Sequence, residues 1–158
     1  ANVTIHLLRR CTMGEARQVM DRLTDAFLAG DYDAVRACYS PNVVVTTPDA
    51  GTLTGIDQFV DYMRQLDEAF PEMRYVSARK LETGYCAIDQ GVNIGRQTGP
   101  LRLPDGRSIP ATGKEVRMRS CDIAVVEDGV ITKHDFYFDQ MELAVQLGVL
   151  EELAATMP

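Results

Sequence analysis

Histidine is nearly absent from this chain. Of 158 residues only His6 and His134 are histidine, and they stand far apart. With no Cys/His cluster, no HExxH helix and no aspartate-rich loop, no ligand set for a metal ion is legible. The four cysteines, Cys11, Cys38, Cys86 and Cys121, form no CxxC pair. Such scattered thiols read as buried and free in a reducing, cytoplasmic setting. Positive charge is short as well: 16 Lys and Arg against 23 Asp and Glu leave a net charge of −7. Without a basic stripe, nucleic acid is not an expected partner. No glycine-rich turn joins a strand to a helix to cradle phosphates, and no GxSxG elbow presents a serine, so no cofactor is expected. The apolar run from Val3 to Leu8 is too short for a signal-peptide core, and no later run is long enough to span a bilayer, which sets membranes aside. Repeats and low-complexity segments are missing too.

What is present is ordinary globular material. Hydrophobic residues make up 46% and charged residues 25%, and the length suits one domain with a real core. Residues 1–13 are weakly patterned and read as an N-terminal extension, with 14–158 as a single domain. From Gly14 to Ala29 the positions Val19, Met20, Leu23, Ala26 and Phe27 recur at helical spacing. Gly30 stops that helix, and Asp31 caps a short second one running to Tyr39. Ser40-Pro41-Asn42 reads as a turn, followed by a β-branched strand from Val43 to Thr47. Ile56 to Phe70 is a second amphipathic helix, ended by Pro71. Arg74–Thr83 and Tyr85–Gln97 read as strands. In the latter, Cys86, Ile88, Gln90, Val92, Ile94 and Arg96 form one face, expected to be the inner one, with Asp89 and Asn93 outward. Residues 98–113, rich in Gly and Pro, read as a long loop.

The last third of the chain carries the chemistry. Two strand-like runs flank Glu127-Asp128-Gly129, and a three-residue loop with an αL glycine is a common hairpin connection. Val126 then pairs with Val130, and Asp122 falls opposite His134 on one face with Ser120, Ala124, Val126, Thr132, Phe136 and Phe138. A two-residue loop would instead oppose Asp122 to Asp135. A carboxylate beside an imidazole fixes its tautomer and leaves the second ring nitrogen to move a proton near neutral pH. Asp122 and His134 are therefore the candidate catalytic pair. Gln90 and Arg96 are candidate hydrogen-bond donors to substrate, and Phe59, Tyr62 and Phe136 candidate walls of the site. Asp139 reads as a helix cap.

Helices followed by a strongly bent sheet and a closing C-terminal helix define an α+β layout, a cone with an apolar pocket suited to a small apolar ligand. NVVVTTP with TGIDQFVDYM after it, ATGKEV, and EDGVITKHDFYFDQMELAVQLG together resemble the nuclear-transport-factor-2-like superfamily (cystatin-like α+β barrels). Within it, the last segment resembles the SnoaL-like polyketide cyclases. The resemblance implies a cone-shaped α+β barrel of mixed or antiparallel strands, a homodimer, and cofactor-independent cyclase- or isomerase-type proton transfer on an apolar carbonyl compound. Carried over residue by residue, the family's acid/base aspartate falls on Phe136 and its histidine on Asp122, leaving Asp122 with His134 as the alternative pair. A likeness to limonene-epoxide-hydrolase-type proteins preserves the central-strand arginine as Arg96 but not its aspartate. A non-catalytic ligand carrier and an interaction module of the same fold stand beside the enzyme as alternatives.

Overall fold

The computed structural model describes residues 14–103 and 105–151; the 1–13 extension lies outside them. Helix α1 (Glu15–Leu28) buries Ala16, Val19, Met20, Leu23 and Ala26 on one stripe, as an amphipathic helix must. None of its own side chains caps its start. Instead Glu82 reaches over from strand β3 (Arg74–Thr83) and accepts the Gly14 N–H at 3.0 Å and the Arg17 N–H at 3.3 Å. That satisfies donors a helix N-terminus leaves free. Helix α2 (Tyr32–Ala37) is capped by Asp31, whose Oδ1 accepts the Ala34 N–H at 3.0 Å. Helix α3 (Ile56–Ala69) buries Phe59, Val60 and Met63. Helix α4 (Gln140–Leu147) starts on Asp139, which accepts the Met141 and Glu142 N–H groups at 2.9 and 3.1 Å.

The remaining strands are β1 (Tyr39–Thr47), β2 (Gly51–Thr54), β4 (Cys86–Arg96), β5 (Leu101–Arg102), β6 (Ser108–Ile109), β7 (Glu115–Glu127) and β8 (Val130–Phe138). With β3, five of them form one mixed six-stranded sheet in the order β2-β1-β8-β7-β4-β3, with β1 parallel to β8 and the other neighbours antiparallel. The sheet ends at β2 and β3 and does not close on itself, so the α+β expectation holds without a closed barrel. One core lies between the sheet and α1–α3, a second among the end of α3, the 97–113 segment and α4. No helix among the described residues is long and apolar enough to cross a membrane.

Several local expectations are corrected. Ser40-Pro41-Asn42 belongs to β1, as an irregularity where Tyr39 pairs with Ile131 but Val44 already pairs with Lys133. The 98–113 segment carries the small β5–β6 hairpin. In β4 the inner face is the opposite one: Ala87, Asp89 and Gly91 are buried, while Gln90 and Arg96 are exposed. Small residues there let helix and side chains approach the sheet closely, and an ion pair permits the buried Asp89. An apolar-count reading of the alternation misses both.

The hairpin is corrected in the same way. Its loop is the two residues Asp128 (φ 52°) and Gly129 (φ 79°), the left-handed pair of a type I′ turn. Val126 therefore pairs with Ile131, and a bulge at Thr132 then adds one further position of shift, so Ala124 pairs with His134 and Asp122 with Phe136. Ile131, expected outside, is fully buried.

The long 97–113 segment is organised by one buried amide. Gln97 is fully buried; its Nε2 donates to the Gly99 and Pro110 carbonyls at 3.2 Å each, and its Oε1 accepts the Thr112 hydroxyl at 2.7 Å. The Thr98 and Gly99 N–H groups donate to the Ala69 carbonyl at 3.1 and 3.3 Å, tying the segment to the end of α3. A Cβ on Gly99 would lie 1.9 Å from the Glu68 carbonyl oxygen. Gly99→Ala is therefore expected to lower stability by about 1–3 kcal/mol through backbone displacement, read as a lower urea midpoint.

Candidate functional site

Between α1, α3 and the inner sheet face lies a cavity of about 190 Å³. Apolar cavities of about 150 Å³ already admit a benzene ring. Its walls are carbon-rich, with Met20, Phe27, Phe59, Met63, Phe70 and Phe136 among them. Most of its polar groups lie on the sheet side.

The centre of that group is His134, with no exposed surface. β8 places it on the inner face, where Phe136 stacks over it with ring centroids 4.1 Å apart. Its Nε2 lies 3.0 Å from Asp122 Oδ2, and its Nδ1 lies 2.7 Å from the Tyr39 hydroxyl. Asp122 sits diagonally across β7 from His134, within reach across a sheet face. Burial first, then the Asp122 and Cys38 charges, hold the Tyr39 phenol well above its ordinary value, so its proton stays on and points at Nδ1. Every donor then faces an acceptor when the imidazole carries its hydrogen on Nε2 and gives it to Asp122. The chain runs Tyr39 O–H to Nδ1, and Nε2–H to Asp122.

This arrangement decides which member meets a ligand. Both nitrogens of His134 are occupied, so no ring nitrogen is left for substrate, contrary to the expectation from sequence. Asp122 keeps 16% of its side chain exposed and lines the cavity. Its Oδ1 makes no hydrogen bond among the described residues.

A second carboxylate stands next to it. Asp89 is directly opposite Asp122 in the β4–β7 pairing, 2% exposed, and held by a two-pronged contact with the Arg17 guanidinium, Nη1 to Oδ1 and Nη2 to Oδ2. Asn93 Nδ2 donates to Ser120 Oγ at 2.9 Å. Tyr75 folds its ring over Gly91, where an added Cβ would meet the ring tip at 2.5 Å. Its hydroxyl is buried with no hydrogen-bond partner among the described residues. Burial first, then Asp122 and Asp89, push that phenol up.

Of the residues expected from sequence, Asp122 and His134 come together, and Phe59, Tyr62 and Phe136 do line the cavity. Gln90 and Arg96 do not. Gln90 faces out, and Arg96 Nη1 donates to the Gly113 carbonyl at 2.7 Å. Asp135 lies on the outer face, paired with Lys133 at 2.9 Å. Tyr39, Asp89 and Tyr75 were missed. Odd positions Val43, Val45 and Thr47 are all buried, but the alternation breaks at the exposed Pro41 before it reaches Tyr39. Among the described residues no group of three or more His, Cys, Asp or Glu side chains is placed to hold a metal ion.

Residues 20–134 match the family model for the SnoaL-like domain, and the chain belongs to that family. Solved structures agree on the fold. A protein of Jannaschia sp. CCS1 proposed to be a SnoaL-like polyketide cyclase superposes with a TM-score of 0.76 at 20% identity, over 84% of this chain and 91% of that one. TsrD from Streptomyces laurentii gives 0.75 at 25% identity, over 89% and 99%. IdmH from Streptomyces antibioticus, proposed to be a polyketide cyclase, gives 0.71 at 22% identity, over 85% and 99%. No protein of curated function matches the sequence.

Tyr39→Phe leaves the buried Nδ1 without its donor. We expect a loss of about 1–3 kcal/mol at neutral pH, measured by urea unfolding. The folded phenol holds its proton above the ~10 at which an unfolded tyrosine ionises. The stability tied to that proton is present below pH ~10 and lost as pH rises toward the folded value. The variant should show a shallower alkaline decline than the parent.

Proposed function

We propose that this protein is a cofactor-independent enzyme that moves a proton at the carbon next to a carbonyl group in a small, largely apolar substrate. The observation that carries it is the chain from Tyr39 through His134 to Asp122, which ends in a carboxylate oxygen left for the cavity. Asp122 takes the α-proton, and the C–H electron pair moves onto the carbonyl oxygen as an enolate. Return of the proton at another carbon gives isomerisation. Attack of the enolate carbon on a second carbonyl of the same molecule gives ring closure, and the alkoxide so formed takes the proton back from Asp122. Neither outcome needs an oxidant or reductant. His134 and Tyr39 are positioning residues that hold the Asp122 carboxylate and answer its change of charge. Asn93 and Tyr75, also in the cavity wall, are the donors available to the developing enolate, in place of Gln90 and Arg96.

A carrier without turnover is the second reading, favoured by one observation: both His134 nitrogens are already satisfied internally. Exchange of the α-protons of 2-tetralone in D₂O, followed by proton NMR, separates the two. The enzyme reading requires exchange above the buffer rate, and a fall of about 10²-fold or more in Asp122→Asn. Equal exchange in parent and variant leaves the carrier.

The outer sheet face supports a homodimer as the working form, because Val76, Tyr137, Met141 and Val145 stand 43–63% exposed there and on α4. Light scattering is expected to give twice the chain mass, and Tyr137→Arg to return it to the monomer. The free Cys38, Cys86 and Cys121 support a reducing, cytoplasmic setting.

A further inference from the structure

The charges lining the cavity are unbalanced. Three carboxylates face it, Asp49, Asp89 and Asp122, against one basic side chain, Arg102. Arg102 is 58% exposed and lies 3.5 Å from the Glu68 carboxylate, so it is partly answered from outside. Asp89 is answered by Arg17 and Asp122 is bonded to His134. Asp49 forms no ion pair among the described residues; its contact is the Tyr62 hydroxyl, which donates to Oδ1 at 3.0 Å and Oδ2 at 3.2 Å.

That contact is built rather than incidental. Tyr62 projects from α3 with its ring stacked on Phe59, centroids 6.3 Å apart. The turn bearing Asp49 is held on both sides: the Ala50 N–H donates to Thr47 Oγ1 at 3.0 Å, and Gln140 Nε2 donates to the Pro48 carbonyl. Phe59 in turn packs on Phe136 at 5.8 Å. A fixed carboxylate without a cation, at the end of a run of aromatic faces, is complementary to a positive group on a ring system. The carboxylate supplies the charge and the π-faces add cation–π attraction. The same field repels a carboxylate ligand, which selects against anions as well as for cations.

We propose that the cavity takes a protonated amine carried on an aromatic or alicyclic frame, with the ammonium hydrogen-bonded to Asp49 and the frame against Phe59 and Phe136. It concerns the same cavity as the proposed proton transfer and rests on that cavity being the ligand site. Applied to that reaction, it makes the substrate an amine-bearing carbonyl compound.

The test uses three matched probes, 2-naphthylmethylamine, 2-naphthylmethanol and 2-naphthoate, titrated calorimetrically into the protein at pH 7. The amine is expected to bind at least tenfold tighter than the alcohol, and the carboxylate most weakly. Asp49→Asn should bring the amine down to the alcohol's affinity while changing the alcohol itself by less than about twofold. Tyr62→Phe, which keeps the charge but releases its orientation, should narrow the preference and provides the check if Asp49→Asn fails to fold. Equal binding of amine and alcohol by the parent, a preference that survives Asp49→Asn, or binding of none of the three overturns the proposal. Because no turnover is read, loss of 2-tetralone exchange leaves this result untouched, and loss of the amine preference leaves the exchange result untouched.

Discussion

A neutral imidazole removed from water must find one donor and one acceptor inside the protein, since an unmade buried hydrogen bond costs about 1–3 kcal/mol. His134 finds them on two different strands, Tyr39 of β1 and Asp122 of β7. That requirement sets the order of the sheet around it. β8 must lie between β1 and β7, and the Thr132 bulge must place His134 level with Ala124. Asp122 then reaches it on the diagonal. One small residue opposite the imidazole, Ala124, leaves space for the rings of Phe136 and Tyr39 to pack beside it.

The cavity's second polar anchor obeys similar constraints with a different solution. Asp89 is nearly without solvent contact, and a buried carboxylate persists as a charge only beside a well-placed cation. Arg17 provides it from the first turn of α1, making that helix both a wall of the cavity and the counter-charge of its floor. The helix is held in turn by Glu82 at its N-terminus. Wall, floor and cap are thus tied to β3 and β4 through polar contacts at one end, while the remainder of α1 packs by apolar burial.

The fold class was legible because it rests on long periodic segments: α1 and α3 show their apolar stripes plainly, and Asp139 caps α4 as its position suggests. The inner face of β4 was not legible. Ala87 and Gly91 carry little hydrophobic signal, Asp89 carries the opposite signal, and the cation that permits it lies 72 residues away. The hairpin shows a different difficulty. Its turn type and its bulge each shift the register by one position in the same direction, so together they move it by two, and the face of Asp122 and His134 came out as expected although the pairing did not. Tyr39 was hidden by its neighbours: Ser40-Pro41-Asn42 has turn chemistry, and only the tertiary pairing with β8 makes it strand.

The parallel contact of β1 with β8 joins the beginning of the sheet to its end. Tyr39 and His134 are separated by 95 residues, and every other strand of the six-stranded sheet lies between them in sequence except their own. Closing so long a loop costs entropy before any contact repays it. On the ribosome, Tyr39 and α1 emerge long before the residue that completes them, and β1 has no neighbour on its His134 side until β8 is made. The cavity is therefore complete only once β8 has joined β1 to β7. A chain truncated before residue 134 lacks both the central strand and the imidazole, so a partly made protein holds neither the pocket nor its proton chain.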